Sequence, residues 1–370
     1  MKKIFTIIGV VILITMVIIL SMLKKNNTTI TTVSKIYQGS ELFTKRDLEQ
    51  NVNTENATKY MVSDGENIRL TSAGIYLISG TAKNVTIYVE AGDEDKVQIV
   101  LDNLSITNET MPCIYVKTAD KVFVTSTGSN ALKVTGTFIA DGNTNLNGVI
   151  FSKQDITLNG TGTLNIESSK NGITGKDDIK ITGGTINIKA VAVAIRANDS
   201  IRIADGNMTL NAGTDGLHAE NSSDDSKGYI FISGGNIKIE AEDDCIHGQS
   251  VVQIDDGTFN LNWAEGIEST YVQINGGTIG INATGDGINA GSKSESYKVT
   301  IEITGGDITI VIADGDTDGI DSNGDIIISG GTINITGNGA FDYDGNATYT
   351  GGTIIINGTK VDSIKKEVEL

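Results

Sequence analysis

The chain has 370 residues with a single proline, two cysteines and 44 glycines, where average usage is about 5% Pro and 7% Gly. Hydrophobic residues make up 39% of it, which excludes a disordered linker, and the glycines follow no G-X-Y period, which excludes collagen. The formal charge is -18, and because Lys2, Lys3, Lys24 and Lys25 are the only charges in residues 1–25, the remainder carries -22, which excludes nucleic acid as a partner.

Residues 4–23 (IFTIIGVVILITMVIILSML) contain no charge and are flanked by lysine pairs. At 1.5 Å per residue this run matches a bilayer core of ~30 Å, which predicts a transmembrane helix with the body on the extracellular face of the membrane. A secretory signal is the competing reading, and it would leave the protein secreted; the run is longer than a usual signal core, and no A-x-A site follows. Cys113 and Cys245 fall several repeats apart and read as unpaired core residues. Residues 26–60 are polar, with ELFTKRDLEQ from Glu41 reading as a short capping helix. Strand-like but irregular segments follow from Ile68 to Lys153.

From Asp178 onward one phrase recurs, as in DIKITGGTINIKA from Asp178, VQINGGTIGINA from Val272 and DIIISGGTINITG from Asp325. The second turn glycine falls at Gly184, Gly206, Gly235, Gly257, Gly277, Gly306, Gly331 and Gly352, giving a unit of about 22 residues. Apolar residues alternate at period 2 on both sides of the glycines, so the units are strands joined by short turns. Stacking one unit per coil explains why the same side chains return, and it predicts a right-handed single-stranded parallel β-helix. Both 29-residue gaps insert at one register, Ala219 to Lys227 and Ala290 to Ser296, so the insertions share a face.

A second column runs through the repeat: Asp215-Gly216-Leu217-His218, Asp244-Cys245-Ile246-His247, Glu265-Gly266-Ile267-Glu268, Asp286-Gly287-Ile288-Asn289 and Asp318-Gly319-Ile320-Asp321. Carboxylates stacked at the strand spacing repel by roughly 3 kcal/mol per pair at an effective dielectric near 20. Ca2+ would relieve this, with Asp215, Asp244, Glu265, Asp286 and Asp318 as ligands and Asp243, Glu268, Asp321 and Asp342 adding oxygens. The plainer reading makes these acids turn formers before glycine. His218 and His247 occupy one column, as solvated or Ca2+-adjacent imidazoles in preference to a zinc pair. Trp263, just before Ala264-Glu265, is either a stacking platform for a sugar ring or an interior filler. Lys153, Lys176 and Arg196 beside the ladder either balance acids or serve as a base that removes the proton α to a uronate carboxylate. No hydrolase triad or phosphate loop motif is present.

The phrases TSAGIYLISG, DEDKVQIVLDNLSI, IYVKTADKVFV, FSKQDITLNGTGTLNI, GITGKDDIKITGGTINI and DDCIHG resemble the bacterial carbohydrate-binding domain of clostridial cell-surface proteins. The resemblance covers residues 68–358. It implies a parallel β-helix that looks like polysaccharide lyases, binds Ca2+ and associates with cellulose or acidic, polygalacturonate-like sugars without clear cleavage. Two positions depart from that family: Val193-Ala194-Ile195-Arg196 stands where it has D-G-[IL]-R, and Cys245 where it has glycine. The expected organisation is an anchor over 1–25, a linker and cap over 26–60, a carbohydrate-binding domain over 61–360 and a charged tail over 361–370. The expected protein is a monomer whose sugar contacts are Trp263, His218 and His247, with no assigned catalytic residue. The alternatives are a Ca2+-dependent pectate lyase using Lys153, Lys176 or Arg196, and a purely structural surface solenoid.

Overall fold

Within each unit, alternate side chains point inward and their columns are continuous. On one face Ile156, Ile179, Ile201, Ile230, Val252, Val272, Ile301 and Ile326 are register partners in succession, each about one repeat from the next. All of them are fully buried, and they belong to a single core that runs from Val62 to Ile354. A fully buried Ile or Val contributes about 1.5–3 kcal/mol of transfer free energy, so the stacked apolar columns are the main force holding the units together. The computed structural model describes residues 35–366 except 316. Nearly every strand pairing in it is parallel; the hairpin between Thr353–Ile356 and Thr359–Val361 is antiparallel and closes one end.

Three faces result. The ladder face contains strands such as Asn171–Gly175, Ile195–Ala197 and Leu217–Ala219. The strap face contains Asp155–Gly160, Asp178–Ile181 and Ser200–Ile203. The amide face contains Thr163–Ser168, Thr185–Ala190 and Asn207–Ala212.

This corrects the expected architecture. Strand Lys96–Asn108 pairs with both Lys121–Thr127 and Ser129–Val134, so it belongs to two faces. Tyr229–Gly248 likewise pairs with Ser200–Ile203, Asn207–Ala212 and Leu217–Ala219. Between these long strands the strap-face and amide-face columns are each paired without a break, and hydrogen bonding closes into a parallel barrel of ten strands with further strands beyond it. That replaces the right-handed single-stranded β-helix. The physical reason is the glycine corner: at Gly235, φ +99, the chain turns but resumes its ladder from Asn236, so the turn is a bulge inside a strand. The transmembrane helix expected over residues 4–23 lies outside the described residues, and among the described residues no helix is long and apolar enough to cross a membrane.

Two glycine types do different work. At Gly160, φ is +110 and a Cβ would lie 2.3 Å from the Ser126 carbonyl oxygen, so both backbone conformation and the neighbouring chain demand glycine. Gly216, after the ladder acid, has no such φ; a Cβ there would meet the Ile239 side chain at 2.3 Å. The ladder glycines thus clear room for the core, which is not what the turn-former reading required.

The segment over residues 36–50 lies along the strap face. The capping helix expected from Glu41 is only Gly39–Leu42, because Thr44 and Asp47 close a reciprocal turn: Thr44 donates N–H and Oγ1 to Asp47 Oδ2, each at 2.8 Å, and the Asp47 N–H returns to Thr44 Oγ1 at 3.2 Å. Asp47 is fully buried, paired with Lys121 at 2.6 Å and Lys180 at 3.5 Å. Tyr37 stacks on Tyr229 with ring centroids 4.3 Å apart.

Candidate functional site

The ladder face places one outward side chain per unit in a single row: Arg196, His218, His247, Glu268, Asn289, Asp321 and Asp342 are successive register partners. The corner acids stand beside it in their own succession, with the Asp244 N–H donated to Asp215 Oδ1 at 3.3 Å and the Asp318 N–H to Asp286 Oδ1 at 2.7 Å. Sequence spacing therefore located the column. Its chemistry differs from one end to the other.

At the histidine end the acids already have imidazole partners. The rings of His218 and His247 stack 4.5 Å apart and nearly parallel. His218 Nδ1 lies 2.6 Å from Asp215, and His247 Nδ1 lies 2.6 Å from Asp244 and 2.9 Å from Glu268. Burial alone would lower the His247 pKa, but its two carboxylate partners outweigh that and push it up to about 9. An imidazolium has no lone pair for a metal, so the group Asp244, His247 and Glu268, close as its ligand atoms are, does not fit a cation. For Glu268, burial is outweighed by His247 and by Lys293 at 2.7 Å, which hold it well below the usual carboxylate range. Asp244 goes the other way, pushed up by burial and by Glu268.

Further along, relief fails. Glu265 is pushed up to about 7 by burial and by Asp244, Glu268 and Asp286, although Asn289 donates to it at 3.3 Å. Asp321 is pushed up to about 6 by burial and by Asp286, Asp342 and Asp344. Asp342 itself pairs with Lys366 at 2.9 Å. Two all-oxygen groups have ligand atoms within 4.8 Å of one another: Asp215, Asp243 and Asp244, and Asp155, Asp177 and Asp178.

The second of these groups was missed by sequence reasoning. Its signal was the repeated placing of Lys153 before Gln154-Asp155 and of Lys176 before Asp177-Asp178. Asp177 is pushed up to about 6 by burial, then by Asp155 and Asp199. Of the candidate bases, Lys176 has its pKa lowered by burial and by Arg196, whereas Arg196 is held by Glu220 at 2.8 Å. Lys153 acts on Asp141, outside this group. The two insertions meet, as their shared register implied: Ser294 Oγ donates to the Asp225 carbonyl at 2.7 Å.

Trp263 stands apart from the histidines. Its register partners are Ala241 and Ala283, both buried, but φ of +110 turns the indole outward and leaves it 58% exposed. It closes one end of a cleft of about 480 Å³ that Lys189, Val191, Asn211, Glu240 and Glu242 also line. The interior-filler alternative is thereby excluded. Cys113 and Cys245 are buried and free.

A family model described as "Carbohydrate-binding domain-containing protein" matches residues 64–271 and 264–366. A protein of Acetivibrio thermocellus with the same description is 38% identical over 137 residues, 36% of this chain and 48% of that protein. The chain thus spans about half the length of the curated relative it matches. A solved structure described as the polysaccharide lyase-like protein from C. thermocellum, a gadolinium derivative, is 31% identical with a TM-score of 0.53, covering 61% of this chain and 94% of that one.

Proposed function

Because this chain belongs to the family of carbohydrate-binding domain-containing proteins, we propose that it is an extracellular, non-catalytic polysaccharide-binding protein for cellulose or polygalacturonate-like chains. The observation that carries this reading is the indole of Trp263, turned out of the core by a backbone conformation unusual for a large residue and set beside an open cleft. Nothing in packing rewards that exposure, whereas an indole face suits the C–H face of a sugar ring.

Ca2+ is the proposed resident ion, and the donor chemistry fits it. The carboxylate group Asp155, Asp177, Asp178 offers only oxygen, as a hard cation requires, and the raised pKa of Asp177 marks charge that protein cations leave unrelieved; Asp215, Asp243 and Asp244 offer only oxygen too, with His218 and His247 already beside two of them. The ladder stretch around Glu265, Asp286 and Asp321 has the same demand. When bound, the ion would neutralise the column and stabilise the fold.

A lyase reading rests on Lys176, which directly precedes Asp177 in sequence and whose pKa, lowered by burial and by Arg196, suits a base for β-elimination. One experiment separates the two. The protein is run through gels containing cellulose derivatives or polygalacturonate, with Ca2+ or with EGTA, and the same mixtures are followed for ultraviolet absorbance of unsaturated uronate. Retardation without absorbance is expected. Appearance of unsaturated product would overturn the non-catalytic reading, and absence of retardation on every glycan would overturn binding itself.

A further inference from the structure

The cleft closed by Trp263 continues into a second of about 380 Å³; Lys189 and Asn211 line both. Together they cross the seven successive strands of the amide face from Ile106 to Trp263, six spacings of ~4.8 Å, or ~29 Å. We infer that this trough is the glycan site: a linear polysaccharide carrying carboxylates lies in it parallel to the stacking direction, and Lys189 grips one of its uronate groups. This rests on the polysaccharide reading above and adds the site, the orientation of the strand and the residue that sets its charge preference.

The trough floor carries half-buried amides in register. Asn187 Nδ2 donates to Asn165 Oδ1 at 2.9 Å, and Asn165 Nδ2 donates to the Asn130 carbonyl at 3.1 Å. Each amide thus spends one N–H on the ladder and retains the other, and Asn187 Oδ1 accepts no bond from the described residues, so hydroxyl partners are wanted at intervals equal to the strand spacing. Sugar residues of a linear chain recur at a comparable interval, which gives a strand laid along the stack one set of amide contacts after another. Trp263 and Val191, 58% and 69% exposed, supply apolar surface at one end.

Charge fixes the preference. Lys133 is neutralised by Glu167 at 2.7 Å, and Lys238 by Glu240 at 2.7 Å. Lys189 is exposed at the junction of the two clefts and makes no ion pair among the described residues. On a chain of charge -18 it is a place where a sugar carboxylate meets an uncommitted cation. Glu242 stands at the Trp263 end, which sets the uronate at the junction and not over the indole.

The test measures calorimetric affinity of the full chain for oligogalacturonate and for cello-oligosaccharide of equal length, with Lys189→Gln and Asn187→Ala beside wild type and Glu265→Gln as a ladder-face variant. Lys189→Gln is expected to weaken oligogalacturonate about tenfold and the neutral oligosaccharide much less. Asn187→Ala is expected to weaken both. If Glu265→Gln abolishes binding while the two trough variants bind as wild type does, the glycan lies on the ladder face and the trough is overturned. If wild type binds neither oligosaccharide, the polysaccharide reading falls first and takes the trough with it. Lys189 is a surface side chain, so unchanged thermal midpoints will show that a lost affinity is not unfolding.

Discussion

Replacing Asp47 by Asn should release the strap. The side chain is 0% exposed and accepts from Lys121 at 2.6 Å, from Thr44 at 2.8 Å and from Thr157 Oγ1 at 2.8 Å. Burial would raise its pKa, but Lys121, Thr44 and Thr157 together hold it below its ordinary value of 3.8. An amide keeps the shape and loses the charge, which deprives Lys121 and Lys180, with side chains 10% and 8% exposed, of their directly bonded counterion and leaves Asp155 as the nearby carboxylate. Breaking one partner out of a buried pair costs about 3–5 kcal/mol. The strap is held otherwise by contacts such as the Tyr37 and Tyr229 stack, worth about 0.5–1.5 kcal/mol beyond the area it covers. The cheaper response is therefore local opening, with the barrel left intact. Amide hydrogen exchange over residues 36–50 should speed up by roughly 10²- to 10⁴-fold, at 1.36 kcal/mol per power of ten. Trypsin should then cut at Lys45 or Arg46, the latter now packed on Phe123 at 4.3 Å.

The pH dependence of the strap has a definite sign. A depressed carboxyl pKa contributes stability that is complete above the ordinary value and is lost as pH falls through the depressed one, so acid should reproduce the variant in wild type. Adding Lys121→Gln to Asp47→Asn removes one stranded ammonium and should restore part of the protection. Unchanged exchange and unchanged tryptic cleavage in Asp47→Asn would refute the reasoning, because they would mean the ion pair holds nothing in place.

In EGTA, stability should fall as pH rises from about 5 to 9, since Glu265 at about 7, Asp321 at about 6 and His247 at about 9 all have raised values whose contribution is lost as pH climbs through them; a flat or rising melting profile contradicts this. Below the ordinary carboxylate range stability should fall again, as Glu268 and Asp47 take up protons. Ca2+ at a hundredfold excess over its dissociation constant should add about 2.7 kcal/mol and flatten the alkaline limb, and calorimetry that finds no shift removes the ion from the account. Trp263→Ala should abolish retardation on glycan gels with little loss of stability, while Trp263→Gly should be the more stable of the two by about 1 kcal/mol because φ is +110 there; equal melting points would remove the strain argument. Gly160→Ala, with its Cβ 2.3 Å from the Ser126 carbonyl oxygen, should destabilise the body, which urea titration will report.

Periodicity made the inward columns legible because a core position tolerates few alternatives: Ile179, Ile201 and Ile230 announce their own stacking. The corners were not legible, since a glycine pair looks the same whether it ends a strand or bulges one, and only the resumed pairing at Asn236 decides. The strap was hidden for another reason. Asp47 meets Lys121 and Lys180 across more than seventy residues of sequence, and nothing local marks a polar segment as buried. The outward turn of Trp263 depends on one backbone dihedral that no residue pattern encodes.

The acidic column shows most clearly where a sequence reading stops. Spacing correctly set acids and histidines in neighbouring rows, and it suggested a uniform series of metal ligands. Yet Asp215-x-x-His218 and Asp244-x-x-His247 carry the partner three residues after the acid, and the structure closes both contacts at 2.6 Å. In that half of the column each of these two acids has an imidazole partner, and His247, shared between Asp244 and Glu268, is pushed up to about 9. No histidine follows Glu265, Asp286 or Asp318 at the same spacing, and there Glu265 and Asp321 are pushed up to about 7 and about 6. Demand for an external cation is therefore graded along the stack and set by which residue follows the acid at the third position. Exchanging Asn289 for His should transfer the imidazole device to Asp286 and lower the demand for an ion at that unit.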